Sequence, residues 1–140
     1  MHEQIEEIKR WIIKGDHDLG TAKITFLHIP EYLDTVTFHC QQSAEKYLKA
    51  YLIFLGINFR KTHDLVYLLD LIAQKDSGFE GIYDSVTDLE SYAVEVRYPN
   101  DTIFLTKDKV ESAISTARNI RSLITSKMKI EINYNKIIES

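Results

Sequence analysis

Apolar residues recur along most of the chain at alternating intervals of three and four positions, the spacing that places them on one face of an α-helix. The first series predicts a long helix whose buried side carries Ile5, Ile8, Ile12, Gly15, Leu19, Ala22 and Phe26. Pro30 is expected to end this helix or to begin the next one. From Glu31 to Leu55 a second series is wide enough to contact two neighbouring helices, and it comprises Leu33, Val36, Cys40, Ala44, Tyr47, Leu48, Tyr51, Leu52 and Leu55.

A short third helix is predicted after a connection. Gly56 is the expected stop of the second helix, and the stretch INFRK follows it. Thr62 and Asp64 then offer an N-cap and an acid that favours a helix N-terminus. The apolar residues of this helix are Leu65, Leu68, Leu69 and Ile72. Gly78 is expected to close it.

Two longer helices complete the pattern. The first of them carries Ile82, Val86, Leu89, Ala93 and Val96. It must stop near Arg97, because Pro99 excludes Tyr98 from the helical region. The second is capped by Thr106 and buries Val110, Ala113, Ile114, Ala117, Ile120 and Ile124.

The pattern as a whole predicts an all-α fold. We expect an up-and-down antiparallel bundle of four long helices with one short additional helix, formed by residues 1–128. Residues 129–140 form a C-terminal tail whose structure the pattern leaves open. Ile130, Ile132 and Tyr134 alternate as in a strand, but the same residues could fray or extend the last helix.

Composition narrows the classes of function. The formal net charge of −4 argues against broad affinity for nucleic acid, although a local basic patch would be compatible with it. The charged start MHEQIEEIKR and the absence of a long apolar run predict neither a signal peptide nor a membrane span. Cys40 is the only cysteine, so a reducing cytoplasm is the expected location. Its place on an apolar helix face predicts a packing residue rather than a nucleophile.

Common catalytic and metal-binding motifs are absent. The chain has no Glu-x-x-His pair, and its five histidines lack the i, i+4 spacing that puts two ligands on one helical face. It also lacks a glycine-rich phosphate loop, Gly-x-Ser-x-Gly and Cys-x-x-Cys. We therefore predict no metal site and no cofactor.

Two stretches resemble a known family. The segment FHCQQSAEKYLKAYLIFLGINFRKTHDLVYLLDLI, residues 38–72, is similar to the central signature of the HEPN domain, and RYPND resembles that family's arginine-containing segment. The similarity extends over about residues 5–126. It implies a five-helix bundle, usually a homodimer, that is often encoded beside a minimal nucleotidyltransferase. It further implies binding of nucleotides or RNA, and in many members a toxin or a metal-independent endoribonuclease silenced by its partner.

The chain departs from the family's nuclease pattern, in which an arginine is followed after four to six residues by a histidine. The corresponding positions after Arg97 are Thr102, Ile103 and Phe104, none of which can accept a proton near neutral pH. Metal-free RNA cleavage needs a base, an acid and a cation, and Arg97 supplies only the cation. The catalytic candidates are therefore Arg97 and His63. Tyr98 is a poor substitute base because a tyrosine hydroxyl is a weak acid.

Candidate phosphate ligands are Arg97, Asn100, Lys46, Lys49 and Tyr98. Each has a structural alternative. Arg97 could satisfy the C-terminus of its helix, Asn100 could cap a turn, and Tyr98 could pack at the helix junction. For the two lysines the favoured interpretation is a solvated ion pair with Glu45, since Glu45 and Lys49 stand in the favourable i, i+4 order.

The segment before the third helix gives a second candidate. Arg60 and Lys61 precede a helix N-terminus, whose free N–H groups attract anions, and Thr62 and His63 follow them. The alternatives are a solvated charge pair and, for His63, local capping of the helix. Gln41 and Gln42 could likewise be interface or base-reading amides.

Three functions are compatible with these residues. The leading hypothesis is a nucleotide- or RNA-binding HEPN protein that forms a dimer and works with a minimal nucleotidyltransferase in a toxin–antitoxin-like pair. The first alternative is a non-catalytic protein-interaction module. The second is a metal-independent endoribonuclease with His63 or Tyr98 as a substitute base.

Overall fold

The computed structural model describes residues 2–97 and 105–133, and the side chains of residues 2–92 and 105–133. Every regular element in these ranges is helical. The elements are α1 (His2–His28), α2 (Leu33–Leu55), the short α3 (Leu65–Ala73), a 3-10 helix (Ser77–Ile82), α4 (Tyr83–Arg97) and α5 (Lys107–Met128). The all-α prediction with four long helices and one short helix is confirmed.

Most of the helix ends follow local chemistry. Gly56 has a left-handed backbone with φ of 73°, which ends α2 as predicted because glycine adopts this conformation without strain. The side chains of Asp64 and Thr106 accept hydrogen bonds from the N–H groups at the starts of α3 and α5. The predicted stop at Gly78 is wrong. Helix α3 ends at Ala73, and Gly78 lies within the 3-10 helix.

Helix α2 occupies the centre of the fold. It packs against α1, α3, α4 and α5, which is more than the two neighbours that its apolar pattern predicts. Helices α1 and α2 are antiparallel, because the Gln4 amide at the start of α1 donates to the Ile53 carbonyl near the end of α2. This packing around α2 is consistent with an up-and-down bundle.

A single hydrophobic core joins all five α-helices. Of the first predicted series, Ile8, Ile12, Leu19 and Ala22 are buried, whereas Ile5 is exposed. Cys40 is fully buried, and burial raises the pKa of its thiol well above the ordinary range. The prediction that Cys40 is a packing residue is confirmed.

A buried polar network crosses this core. The Arg121 guanidinium on α5 makes a bidentate contact with the Asp16 carboxylate on α1, at 2.6 and 2.9 Å. The Tyr47 hydroxyl on α2 donates to the same carboxylate at 2.6 Å. Arg121 also donates to the Ile132 carbonyl at 3.2 Å, so the network ties the tail to the bundle. The hydrophobic pattern gave no sign of this network, because Asp16 lies inside an apolar series.

The tail does not simply continue the last helix. Lys129 has a left-handed backbone with φ of 55°, which ends α5 at Met128. Ile130 and Ile132 then pack against the core in a segment without regular structure. Tyr134 and the rest of the tail lie outside the described residues, so the alternatives for that part of the tail stay open.

Candidate functional site

Three polar side chains spaced four residues apart are buried along α2. Gln41, Glu45 and Lys49 are 5%, 3% and 6% exposed, and we call them the polar stripe. The Lys49 ammonium donates to Glu45 Oε2 at 2.9 Å and lies 5.5 Å from the centre of the Trp11 ring of α1. The predicted solvated ion pair is therefore wrong, because α1 and the segment before α3 cover this face of α2.

The polar stripe holds the exposed His63. Glu45 uses its second oxygen, Oε1, to contact His63 Nδ1 at 2.7 Å, although the His63 side chain is 67% exposed. The Gln41 amide lies 3.4 Å from the His63 carbonyl oxygen and donates to it. Both the backbone and the ring of His63 are thus attached to α2, in the connection just before α3.

The capping interpretation of His63 is wrong, because other groups occupy the N-terminus of α3. Asp64 accepts from the Tyr67 N–H at 3.0 Å, and Glu90 of α4 accepts from the Leu65 N–H at 2.8 Å. Thr62 accepts from the Asp64 N–H. The proposed anion site at this helix end is contradicted too, since two carboxylates stand where a phosphate would bind.

Two carboxylates, those of Asp64 and Glu90, lie close together at the N-terminus of α3. Burial raises the pKa of Glu90, and the neighbouring Asp64 carboxylate raises it further, while hydrogen bonds from the Leu65 and Val66 N–H groups oppose the shift. The Arg60 guanidinium stacks over Tyr67, 3.7 Å from the ring centre.

The two predicted phosphate-binding lysines have carboxylate partners. Lys49 pairs with Glu45 in the interior, as described above. Lys46 instead faces α1, where its ammonium contacts the Asp18 carboxylate. The other oxygen of Asp18 lies 2.9 Å from His39 Nδ1. The structure thus separates Lys46 from Lys49 and His63.

Helix α4 ends at Arg97, as predicted. The side chain of Arg97 lies outside the described residues, as do Tyr98, Asn100 and the positions where the family's histidine would stand. The direction of α4 nevertheless shows at which end of α3 its backbone finishes. Helices α3 and α4 are antiparallel, because Tyr83 contacts Asp70 and Glu90 contacts the start of α3. Arg97 is seven residues beyond Glu90, or about 10 Å along the helix. Helix α4 therefore extends past the N-terminal end of α3, the end that His63 precedes.

Sequence reasoning included His63 but missed what holds it. Glu45 is the central residue, because it joins the Lys49 ammonium and the His63 ring. One signal was available. A Gln, a Glu and a Lys recur every four residues on a helix whose other faces are already broadly apolar. Such a row is a candidate for contact with a neighbouring segment as well as for exposure to solvent.

The arrangement offers one reactive group to solvent. A carboxylate accepts hydrogen bonds and does not donate them, so Glu45 favours a proton on His63 Nδ1. The opposite nitrogen, Nε2, has no hydrogen-bond partner among the described residues and can accept a proton or a hydrogen bond. Within the same part of the chain, no group of three histidine, cysteine or acidic residues could hold a metal ion.

The chain matches the model of the HEPN domain over residues 8–128. It belongs to the HEPN family. It is also 27% identical over 147 residues to a protein named "Putative toxin MJ1304" from Methanocaldococcus jannaschii, and the match covers 95% of each chain.

A solved structure supports the same fold. The crystal structure of ST0689, an archaeal HEPN homologue, superposes on this HEPN chain with a TM-score of 0.68. The two are 23% identical, and the superposition covers 87% of this chain and 98% of the other. None of the helices described is both long enough and apolar enough to cross a membrane.

Proposed function

We propose that this HEPN protein binds the phosphate of a nucleotide or RNA, and that it acts as a homodimer with a minimal nucleotidyltransferase in a toxin–antitoxin-like pair. Membership of the HEPN family and similarity to a protein named as a toxin support this general role. The ligand, the partner and the dimer are our extension of that resemblance.

One observation carries the proposal. The His63 ring is held at 2.7 Å by a buried carboxylate and is itself 67% exposed, and helix α4, which is antiparallel to α3, ends at Arg97. An exposed ring adds little to folding stability, since solvent weakens its contact with Glu45. A ring anchored in this way suits the recognition of a ligand. Arg97 then supplies the positive charge that a phosphate needs.

The binding test compares two arginine variants of matched thermal stability. The Arg97→Ala protein should bind labelled single-stranded RNA or ATP about tenfold more weakly than the parent, the usual effect of losing one charged hydrogen bond. Arg118→Ala removes an exposed arginine of α5 and serves as the control for net charge. Equal affinity of both variants would refute a role for Arg97, and absence of binding in the parent would refute the proposal.

A second candidate function is metal-independent RNA cleavage, which the Glu45–His63 contact favours. In this reaction the 2′-oxygen attacks the adjacent phosphorus and its proton passes to His63 Nε2. The bond from phosphorus to the 5′-oxygen breaks, and that oxygen takes a proton from the imidazolium or from water. The products are a 2′,3′-cyclic phosphate and a 5′-hydroxyl, and Arg97 would stabilise the charge that develops on the phosphorane.

Cleavage is tested with the same RNA in EDTA. The parent should release 2′,3′-cyclic phosphate ends, and His63→Ala should abolish them while His17→Ala, which changes an exposed histidine of α1, should not. An intact substrate after incubation with the parent would exclude this second candidate but not binding.

The partner and the non-catalytic alternative are tested together. Co-expression with a minimal nucleotidyltransferase should yield a complex that weakens RNA binding by the HEPN chain. A complex that forms although the HEPN chain alone binds neither RNA nor nucleotide would instead favour the protein-interaction module.

A further inference from the structure

We propose that Glu45 is a positioning residue that fixes the His63 ring in the tautomer with a proton on Nδ1, so that Nε2 faces outward as the acceptor for a ribose hydroxyl of RNA. This inference rests on the proposed function for its ligand, but the geometry of the ring can be tested without RNA. It adds a role for the buried polar stripe that neither the sequence nor the family comparison assigns.

The two oxygens of Glu45 contact different residues. Oε2 accepts from the Lys49 ammonium at 2.9 Å, and Oε1 contacts His63 Nδ1 at 2.7 Å. Lys49 is 6% exposed and donates to Oε2, and a carboxylate accepts hydrogen bonds without donating them. His63 Nδ1 must then be the donor, and in the neutral ring Nε2 carries the free lone pair.

Two further contacts restrict the movement of His63 and of the Lys49 side chain. The Gln41 amide donates to the His63 carbonyl, which fixes the backbone from which the ring projects. Trp11 packs beside the Lys49 ammonium, with 5.5 Å from the nitrogen to the ring centre, and limits its movement. Glu45 therefore cannot turn away from the histidine without breaking a buried ion pair.

A purely structural role explains this arrangement poorly. A buried Glu–Lys pair is a costly way to fill a core, and apolar residues of similar volume often do as well. The contact to His63 adds little stability, because the ring is 67% exposed. The buried Glu45–Lys49 pair instead holds the exposed imidazole of His63 in a single orientation.

The test is the tautomer of His63 in the full-length protein, read from long-range ¹H–¹⁵N correlations and assigned with His63→Ala. We expect one Nδ1–H tautomer in the parent and a mixture, or the Nε2–H form, in Glu45→Gln. Should Glu45→Gln fail to fold because Lys49 loses its carboxylate, the double variant Glu45→Gln/Lys49→Met removes both charges and gives the same readout.

His39 provides an internal control, because its Nδ1 contacts the Asp18 carboxylate at 2.9 Å in the same way. Its signals should stay unchanged in Glu45→Gln and should change in Asp18→Asn. An Nε2–H tautomer of His63 in the parent, or a His63 spectrum that Glu45→Gln leaves unaltered, would overturn the inference.

RNA binding supplies the second readout. Glu45→Gln should weaken RNA binding about tenfold, to the level of His63→Ala, and the two changes combined should add no further loss. Additive losses would overturn the positioning role. A parent that shows the expected tautomer but binds neither RNA nor nucleotide would refute the proposed function instead, so the two failures are distinguishable.

Discussion

Removing the carboxylate of Asp16 should destabilise the protein more than any change at its surface. Asp16 and Arg121 are 6% and 3% exposed, and their bidentate contact joins α1 to α5 across 105 positions of sequence. Breaking a buried ion pair by removing one partner typically costs about 3–5 kcal/mol. Domains of this size have a total stability of about 5–15 kcal/mol, so Asp16→Ala should lose a large share of it.

Tyr47 contributes a smaller part of the same network. Its hydroxyl donates to Asp16 Oδ1 at 2.6 Å, and a hydrogen bond to a charged group is worth about 1.5–3 kcal/mol. Tyr47→Phe removes only this hydroxyl and should therefore cost less than Asp16→Ala. The triple change Asp16→Leu/Tyr47→Phe/Arg121→Met removes every charge of the network and should recover much of the loss.

Urea denaturation followed by circular dichroism measures these differences, with Asp34→Ala as the control for an exposed acid of α2. A double-mutant cycle of Asp16→Ala and Arg121→Met should show strong non-additivity, because the second change removes the cation that the first one left behind. A loss below about 1 kcal/mol for Asp16→Ala, or additive effects in the cycle, would contradict the argument.

Three further changes test other parts of the fold. Gly15→Ala should destabilise by about 1–3 kcal/mol, because the new Cβ would lie 2.6 Å from the Tyr47 ring. Hydrogen bonds from Tyr51, Lys127 and the Gly78 N–H lower the pKa of Asp76 below its ordinary 3.8, so its stabilisation is complete above that pH and is lost as the pH falls through the lowered pKa. Asp76→Asn should therefore flatten the acid limb of the stability curve. Glu90→Gln should raise stability in neutral buffer, because the raised pKa of Glu90 means that its ionisation opposes folding.

Two of these changes, those at Gly15 and Glu90, have a matched control of the same residue type or charge. Gly81→Ala introduces a Cβ with no atom within 4 Å and should be tolerated, so equal effects at Gly15 and Gly81 would contradict the packing argument. The advantage of Glu90→Gln should disappear as the pH falls below the ordinary glutamate value of 4.5, whereas Asp88→Asn, at an exposed position, should show no such trend. An advantage that is independent of pH would refute the ionisation argument.

Local signals were sufficient for most of the helical boundaries. Thr106 caps α5 and Gly56 ends α2 at positions that three or four residues of sequence define, and both predictions were confirmed. The N-cap of α3 is Asp64, predicted only as a favourable acid, rather than Thr62. The prediction that Gly78 ends α3 was wrong because a glycine indicates a break in a helix but not which helix ends there. The chain leaves α3 through Gln74, which has a right-handed backbone, and needs no glycine there.

The polar stripe could not be read in the same way. A Glu and a Lys at i and i+4 look identical in sequence whether they face water or the interior. Only the approach of Trp11 from α1 and of His63 from the connection to α3 decides that this pair is buried. Asp16 is a similar case, since its partner Arg121 lies 105 residues further along the chain.

The charges around His63 restrict how a nucleic acid can approach. Asp64 and Glu90 hold the N-terminus of α3, and a phosphate placed there would meet two acids. Helix α4 continues for seven residues past Glu90 and ends at Arg97. A ligand that uses both groups must therefore place its phosphate at Arg97 and turn an uncharged hydrogen-bonding group toward Nε2 of His63. A ribose hydroxyl satisfies that requirement and a second phosphate does not, so we expect RNA to bind more tightly than DNA of the same sequence. Equal affinity for the two would contradict this assignment of the histidine.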